Sequence, residues 1–347
     1  MKKLIAVLLT TVVVAGLIGC GVSMEKDVAQ TETTMEEGQS GEKKMVMILP
    51  MATLDYFNYM AAQLECEAEK AGVDLTFWNV NSDFSKIGEY VEMACEQDYD
   101  VAFVIDPTGS AQAAIKESSE KGLLIVGYDA NIYPELENAW VTTGNVAMGR
   151  MIAEYALDMM KDEGKDSYNL VISYNPSVQS EIDRYNGVMA AIEESDLNID
   201  VELATNTGVD LEDKINLWDD MLIRKAAEEI DYVIAVNSTN ALGCLASAES
   251  AGRMELKVFG IDDEADQLNA LQKDGIYYAT IAQDSFTFGK KMMEAAVKLT
   301  EDGGGQLGTI SVDGILVTRD NVKEYLEKRQ ENVDSLSEYI SSITSLN

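Results

Sequence analysis

Eight side chains suited to holding a polar, ring-shaped molecule stand just beyond short apolar runs. Asp55, Tyr56 and Phe57 follow "MVMIL", Asp129 follows "LLIVGY", and Arg184 lies in "NPSVQSEIDRYNG" after "YNLVISY". Asn237 follows "YVIAV", Asp262 follows "LKVFGI", and Gln283 closes "YYATIA". Carboxylates and amides accept and donate in pairs that match vicinal hydroxyls, and arginine adds a fork of donors. Aromatic faces pack against the apolar C–H faces of a sugar ring. Glycoside hydrolases also pair carboxylates with aromatics, but they need one carboxyl held protonated. A neighbouring arginine and amides favour the ionised form instead, so the set reads as a binding site rather than a catalytic one.

Each residue also has a plainer role. Asn237 and Asp262 begin helices and could serve only as N-caps, and Asp129 could shape a turn with Ala130 and Asn131. Arg184 could sit on a solvated helix face, Tyr56 and Phe57 in a core, and Gln283 at a solvated strand end. What favours a shared site is the common placement at strand ends, where open α/β sheets bind their ligands.

The elements that must position these residues alternate between strand and helix. "MVMIL", "DLTFWNV", "VAFVI" and "LLIVGYD" are strands separated by helical stretches, and the alternation restarts after "WVTTG" through "YNLVISY", "DVELATN", "YVIAV" and "LKVFGI". This predicts an α/β fold of two doubly wound parallel-sheet lobes, each of strand order 2-1-3-4-5. Right-handed crossovers then put the first and second helices on opposite sheet faces, which separates Cys66 from Cys95. Together with Cys244 these are expected to be free thiols. The "EDGGGQLG" run at 301–308 reads as a flexible surface loop. It lacks the Lys-Ser/Thr of a phosphate-binding loop, and no G-x-G-x-x-G follows the first strand of either lobe, so no nucleotide cofactor is expected.

Composition narrows the partners. The 347 residues are 46% hydrophobic and 25% charged, which is a globular balance with room for two cores. The formal net charge of −35 argues against nucleic acid. The absence of histidine removes the commonest general base and the His-containing zinc sites. The chain opens "MKKLIAVLLTTVVVAGLIGC", two lysines followed by an apolar segment too short for a comfortable membrane span. Its Leu17-Ile18-Gly19-Cys20 end looks like a bacterial lipobox, in which the signal is removed before the cysteine and the thiol carries lipid. Residues 1–19 are therefore expected to be a lipoprotein signal peptide and 20–44 a flexible acidic tether.

Taken in order, "TLDYF", "VGYD" at 126–129, "TTGNVAMGR" at 142–150, "RYNG" at 184–187, "NSTNALG" at 237–243, "VFGIDDEADQL" at 258–268, "ATIAQD" at 279–284 and "GILVTRDNV" at 314–322 resemble a known family. It is the type I periplasmic sugar-binding proteins of ABC importers, the ribose-binding-protein group, and the resemblance spans roughly Met45 to Lys328. It implies a ligand sandwiched by Tyr56 or Phe57 with Asp55 nearby, and polar contacts from Asp129, Arg184, Asn237, Asp262 and Gln283. Three departures stand out. Ala130 takes the place of an arginine usual in ribose-type binders, and the first loop lacks the usual Asn-Pro-Phe-Phe order. Val209 or Leu211 stands where an aromatic is common.

The resemblance further implies three hinge crossings, near 144, 283 and 312. One lobe would comprise 45–144 plus 284–312, the other 145–283 plus 313–330, with 331–347 a tail that is either a loose amphipathic helix or frayed. The implied function is an extracytoplasmic, membrane-anchored monomer that binds a monosaccharide or polyol and delivers it to an ABC permease, without enzyme activity. A sensor with the same cleft, passing ligand state to a membrane receptor, is the alternative.

Overall fold

The computed structural model describes residues 43–131 and 133–346. The expected signal peptide, the Cys20 lipidation site and nearly all of the tether lie outside the described residues. The first part of the chain runs β1 (Lys43–Leu49), α1 (Asp55–Ala71), β2 (Val73–Asn79), α2 (Ile87–Glu96), β3 (Val101–Asp106), α3 (Gln112–Glu120), β4 (Leu124–Asn131) and β5 (Ala139–Thr143). The alternation then repeats as α4 (Asn145–Glu163), β6 (Tyr168–Tyr174), α5 (Gln179–Glu193), β7 (Ile199–Thr205), α6 (Leu211–Arg224), β8 (Tyr232–Ala235), α7 (Ser238–Ala251), β9 (Lys257–Ile261), α8 (Ala265–Leu271) and β10 (Tyr277–Gln283). It closes with α9 (Ser285–Glu301), β11 (Gly308–Val312), β12 (Gly314–Thr318), α10 (Val322–Ser335) and α11 (Ser337–Thr344).

Two six-stranded sheets result, ordered β2-β1-β3-β4-β5-β11 and β7-β6-β8-β9-β10-β12. Each has the expected 2-1-3-4-5 order with one strand added at the edge. All pairings are parallel except β10 with β12. The chain leaves the first sheet after β5, returns after β10, and leaves again between β11 and β12. Lys43 and Lys44, expected as the end of the tether, already pair with Val73 and Asp74 of β2. The Asp100 carboxylate fixes this start by accepting from the Lys44 N–H at 2.8 Å and the Lys43 ammonium at 3.1 Å.

The two-residue period of a strand explains the layering. In β1, Met45, Met47 and Leu49 enter a core shared with α1 and α9, while Val46 and Ile48 enter another shared with α2 and α3. Cys66 of α1 and Cys95 of α2 therefore lie on opposite faces of the sheet. All three described cysteines are free, with Cys244 buried and the other two partly so. The glycine-rich 301–308 run is a shaped turn rather than a loose loop. Gly303, Gly304 and Gly305 have φ of 71°, 105° and 109°, a region that glycine enters without a side-chain clash. The Asn138 side chain donates to the Gly305 carbonyl at 2.8 Å.

Segment 331–347 is helical where it is described. α11 buries Ile343 completely in the core of the first lobe, and α10 packs Val322, Tyr325 and Leu326 on the second. With no disulfide among the described residues, a reductant has nothing there to break. Adding dithiothreitol should leave the thermal midpoint unchanged, and a drop of several degrees would reveal a covalent bridge.

Candidate functional site

The cleft lies where the carboxyl ends of the two sheets face each other, in a cavity of about 920 Å³. Seven of the eight expected residues line it: Tyr56, Phe57, Asp129, Arg184, Asn237, Asp262 and Gln283. Asp55 does not. It opens α1, remains exposed, and accepts from the Tyr59 hydroxyl one helical turn on, at 3.2 Å. Val209 and Leu211 are exposed and away from the cleft lining. Ala130 is part of that lining, so the first-lobe wall has an apolar methyl beside Asp129.

Asp129 and Asp262 occupy equivalent places in the two sheets. Gly127 of β4 pairs with Trp140 of β5, and Gly260 of β9 pairs with Thr280 of β10, with the aspartate two residues beyond the glycine each time. Both aspartates adopt left-handed backbone, with φ of 55° and 79°. Such conformations are uncommon outside glycine and concentrate at functional sites. A side chain on the neighbouring strand holds each turn. The Trp140 indole donates to the Asp129 carbonyl at 3.0 Å, and the Thr280 hydroxyl donates to the Asp262 carbonyl at 2.6 Å.

The second-lobe wall is a connected network. The Asp262 carboxylate accepts from the Ser238 N–H at 2.9 Å, Gln283 Nε2 at 2.7 Å and Arg184 Nη1 at 3.3 Å. Asp262 thus satisfies the first turn of α7 while Glu264 opens α8, so it caps a helix other than its own. Asn237 is the N-cap of α7, accepting from the Asn240 N–H at 2.8 Å, and it also lines the cleft. The nearly buried Arg184 donates from Nε to Asn145 Oδ1 at 2.9 Å and from Nη1 to the Val236 carbonyl at 3.0 Å. Its Nη2 has no partner among the described residues. Gln283 likewise commits Nε2 and keeps its carbonyl oxygen.

Close helix packing puts Arg184 there. A Cβ on Gly149 of α4 would come within 1.9 Å of the Arg184 carbonyl, and one on Gly187 of α5 within 2.0 Å of the Val146 carbonyl. The two glycines allow the backbones of α4 and α5 to touch. Glu181, not singled out in the sequence, is buried one turn before Arg184. Its carboxylate accepts from Asn237 Nδ2 at 2.8 Å, Asn240 Nδ2 at 3.0 Å and the Asn175 N–H at 2.7 Å. Burial pushes this carboxyl above the ordinary glutamate range, and the Asn175 N–H, Lys214 and Arg184 pull it back. The three-residue spacing from Arg184 was a signal for it. Asn145, Trp140 and Thr280 had none, since their partners are set by tertiary contact.

The first-lobe wall is less occupied. The Tyr56 hydroxyl donates to Asp129 Oδ1 at 3.3 Å, and the Tyr56 and Phe57 rings meet edge to face at 5.1 Å. Burial, and after it Asp129, raises the Tyr56 phenol well above its usual range. Burial raises the Asp129 carboxyl too, against the lowering effects of Arg184 and Tyr56.

Residues 45–305 match the model of the periplasmic binding protein domain. The chain belongs to that family. Among curated relatives, a xylitol-binding protein of Mycolicibacterium smegmatis is 26% identical over 291 residues, covering 79% of this chain and 78% of its own. The ribose import binding protein of Salmonella typhimurium is 25% identical over 265 residues, covering 74% and 85%. An ABC transporter solute binding protein of Bacillus halodurans, solved with bound myo-inositol, superposes with a TM-score of 0.69 at 23% identity, covering 83% of this chain and 98% of that one. The family is one of binding proteins, not enzymes, and the two-lobed type I fold is shared.

Two outcomes follow from this packing and burial. Gly149→Ala overpacks the α4–α5 contact and should cost about 1–3 kcal/mol in chemical denaturation; an unchanged midpoint would mean the helices can part freely. Because the folded Asp129 carboxyl titrates above its unfolded range, its burial penalty is absent below that range and grows as pH rises through the folded value. Asp129→Asn should therefore melt higher than wild type at neutral pH, with the gain vanishing at acid pH. A neutral-pH loss would mean the carboxylate is a net structural contributor.

Proposed function

We propose that the protein captures a neutral monosaccharide or polyol between its lobes outside the cytoplasm and delivers it to an ABC permease. In this reading it acts as a monomer held at the membrane by lipid on Cys20. The observation that carries the reading is the division of hydrogen-bonding capacity between the two walls. The second lobe offers Arg184 Nη2 and the Gln283 carbonyl from a network that is otherwise committed, and the first offers the Asp129 carboxylate beside two aromatic rings. Paired donors and acceptors next to an apolar ring face suit a polyhydroxylated molecule. Family membership and the xylitol- and ribose-binding relatives support the same class.

Charge refines the class. Asp129, Glu181, Asp183 and Asp262 line the cleft, and Arg184 is the one cation among the lining residues. That cation is already paired with Asp262, and Ala130 supplies no second guanidinium. Acidic sugars would meet uncompensated carboxylates, so a neutral ligand is the one the site accepts.

A thermal-shift series with xylitol, ribose, myo-inositol and galacturonate tests this. A neutral ligand at 100 times its dissociation constant should add about 2.7 kcal/mol, read as a shift of a few degrees, while galacturonate gives none. Arg184→Ala should abolish the shift. A response confined to amino acids or to galacturonate would overturn the neutral-sugar reading.

A further inference from the structure

Apart from the three strand crossings, the chain joins the lobes a fourth time. α10 packs on the second lobe and α11 on the first, where Ile343 is fully buried. The Tyr339 hydroxyl donates to the Glu69 carboxylate of α1, and the Asn79 amide donates to the Leu346 carbonyl at 3.1 Å. The helix pair is thus fastened at both ends to different lobes.

Midway along it stands Arg329. Its Nη1 donates to the Asp263 carbonyl at 2.9 Å and lies 3.0 Å from the Asp263 carboxylate, which also accepts from the Tyr325 hydroxyl at 2.6 Å. Asp263 directly follows the cleft residue Asp262. The same guanidinium lies 5.5 Å from the centre of the Tyr59 ring, which belongs to α1 of the first lobe and stacks on Phe286 of α9 at 5.3 Å. One cation therefore touches the segment carrying Asp262 in one lobe and an aromatic pair in the other. If α10 merely covered an apolar surface, close packing along its length would be expected. Instead a cavity of about 230 Å³, lined in part by Phe286, Ile315 and Tyr325, separates it from the hinge. Beside that space, the Asp263 carboxylate holds both Arg329 and Tyr325.

We propose that Arg329 is a positioning residue that sets the angle between the lobes, acting through the α10–α11 strap and its cation–π contact with Tyr59. The strap holds the lobes in the mutual approach seen here, and loosening it lets them open further. Its effect on ligand release rests on the sugar-binding reading; its effect on the lobe angle does not.

The test uses the full chain with spin labels introduced as non-natural amino acids at Glu89 and Glu212, exposed residues in opposite lobes. Distances are measured without ligand in wild type, Arg329→Met and Tyr59→Leu. Both variants should give a longer and broader distribution than wild type. Ribose or xylitol, if the wild type binds it, should dissociate up to about tenfold faster from both, the scale of one partly desolvated cation–π contact. Distributions matching wild type in both variants would overturn the proposal. So would a change in Arg329→Met alone, because Arg329 would then act within the second lobe. Should Arg329→Met fail to fold, Tyr59→Leu decides by itself. If no sugar binds the wild type, that failure belongs to the ligand reading, and the ligand-free distances still decide the strap.

Discussion

The second-lobe wall depends on one backbone turn, the left-handed conformation at Asp262. A residue with a Cβ costs about 1–2 kcal/mol there, and aspartate is among the few that enter this region because a short polar side chain can hydrogen-bond nearby. The turn aims the carboxylate back across the sheet, where it meets an amide N–H, an arginine and a glutamine. Hydrogen bonds to a charged group contribute about 1.5–3 kcal/mol each, so the three together outweigh the strain with a margin. Thr280, on the adjacent strand, fixes the carbonyl. The α7 terminus, the α5 arginine and the hinge glutamine are consequently positioned as one unit.

The two walls share topology but differ in occupancy. The second lobe spends most of its polar capacity on itself, which makes it a rigid template with few open valences. In the first lobe, Asp129 sits in an equivalent turn yet receives only a 3.3 Å hydroxyl bond among the described side chains, and burial disfavours its charge. A hydroxyl-bearing ligand would relieve that penalty as the lobes meet. On the proposed reading, one wall would orient a ligand while the other would gain from its arrival, a division that reduces the ordering cost of binding.

Much of this was legible in the chain because it follows local rules. Strand-length apolar runs, the helices between them and the polar residues at their ends gave the sheet order and seven cleft residues. Asp55 misled because the helix begins on it, and its carboxylate finds Tyr59 one turn along before it can reach the cleft. Glu181 was overlooked although its spacing from Arg184 placed both on one helix face. Trp140, Thr280 and Asn145 act on backbone or side chains that only folding brings near, and no periodicity marks such a role. The docking of α11 was illegible for the same reason. Tyr339 meets Glu69 across nearly the whole chain, and a short amphipathic helix does not name the surface it will cover.

That docking has a consequence for how the molecule is assembled. The first lobe draws on residues at the start of the domain, on α9 and β11 after the second lobe, and on Ile343 close to the last residue. No contiguous stretch emerging from the ribosome contains a finished first-lobe core. Its slowest contacts close loops of hundreds of residues, which delays completion until α11 has been made. Of the described helices, α11 is the last in chain order, and it is the one that completes the first lobe.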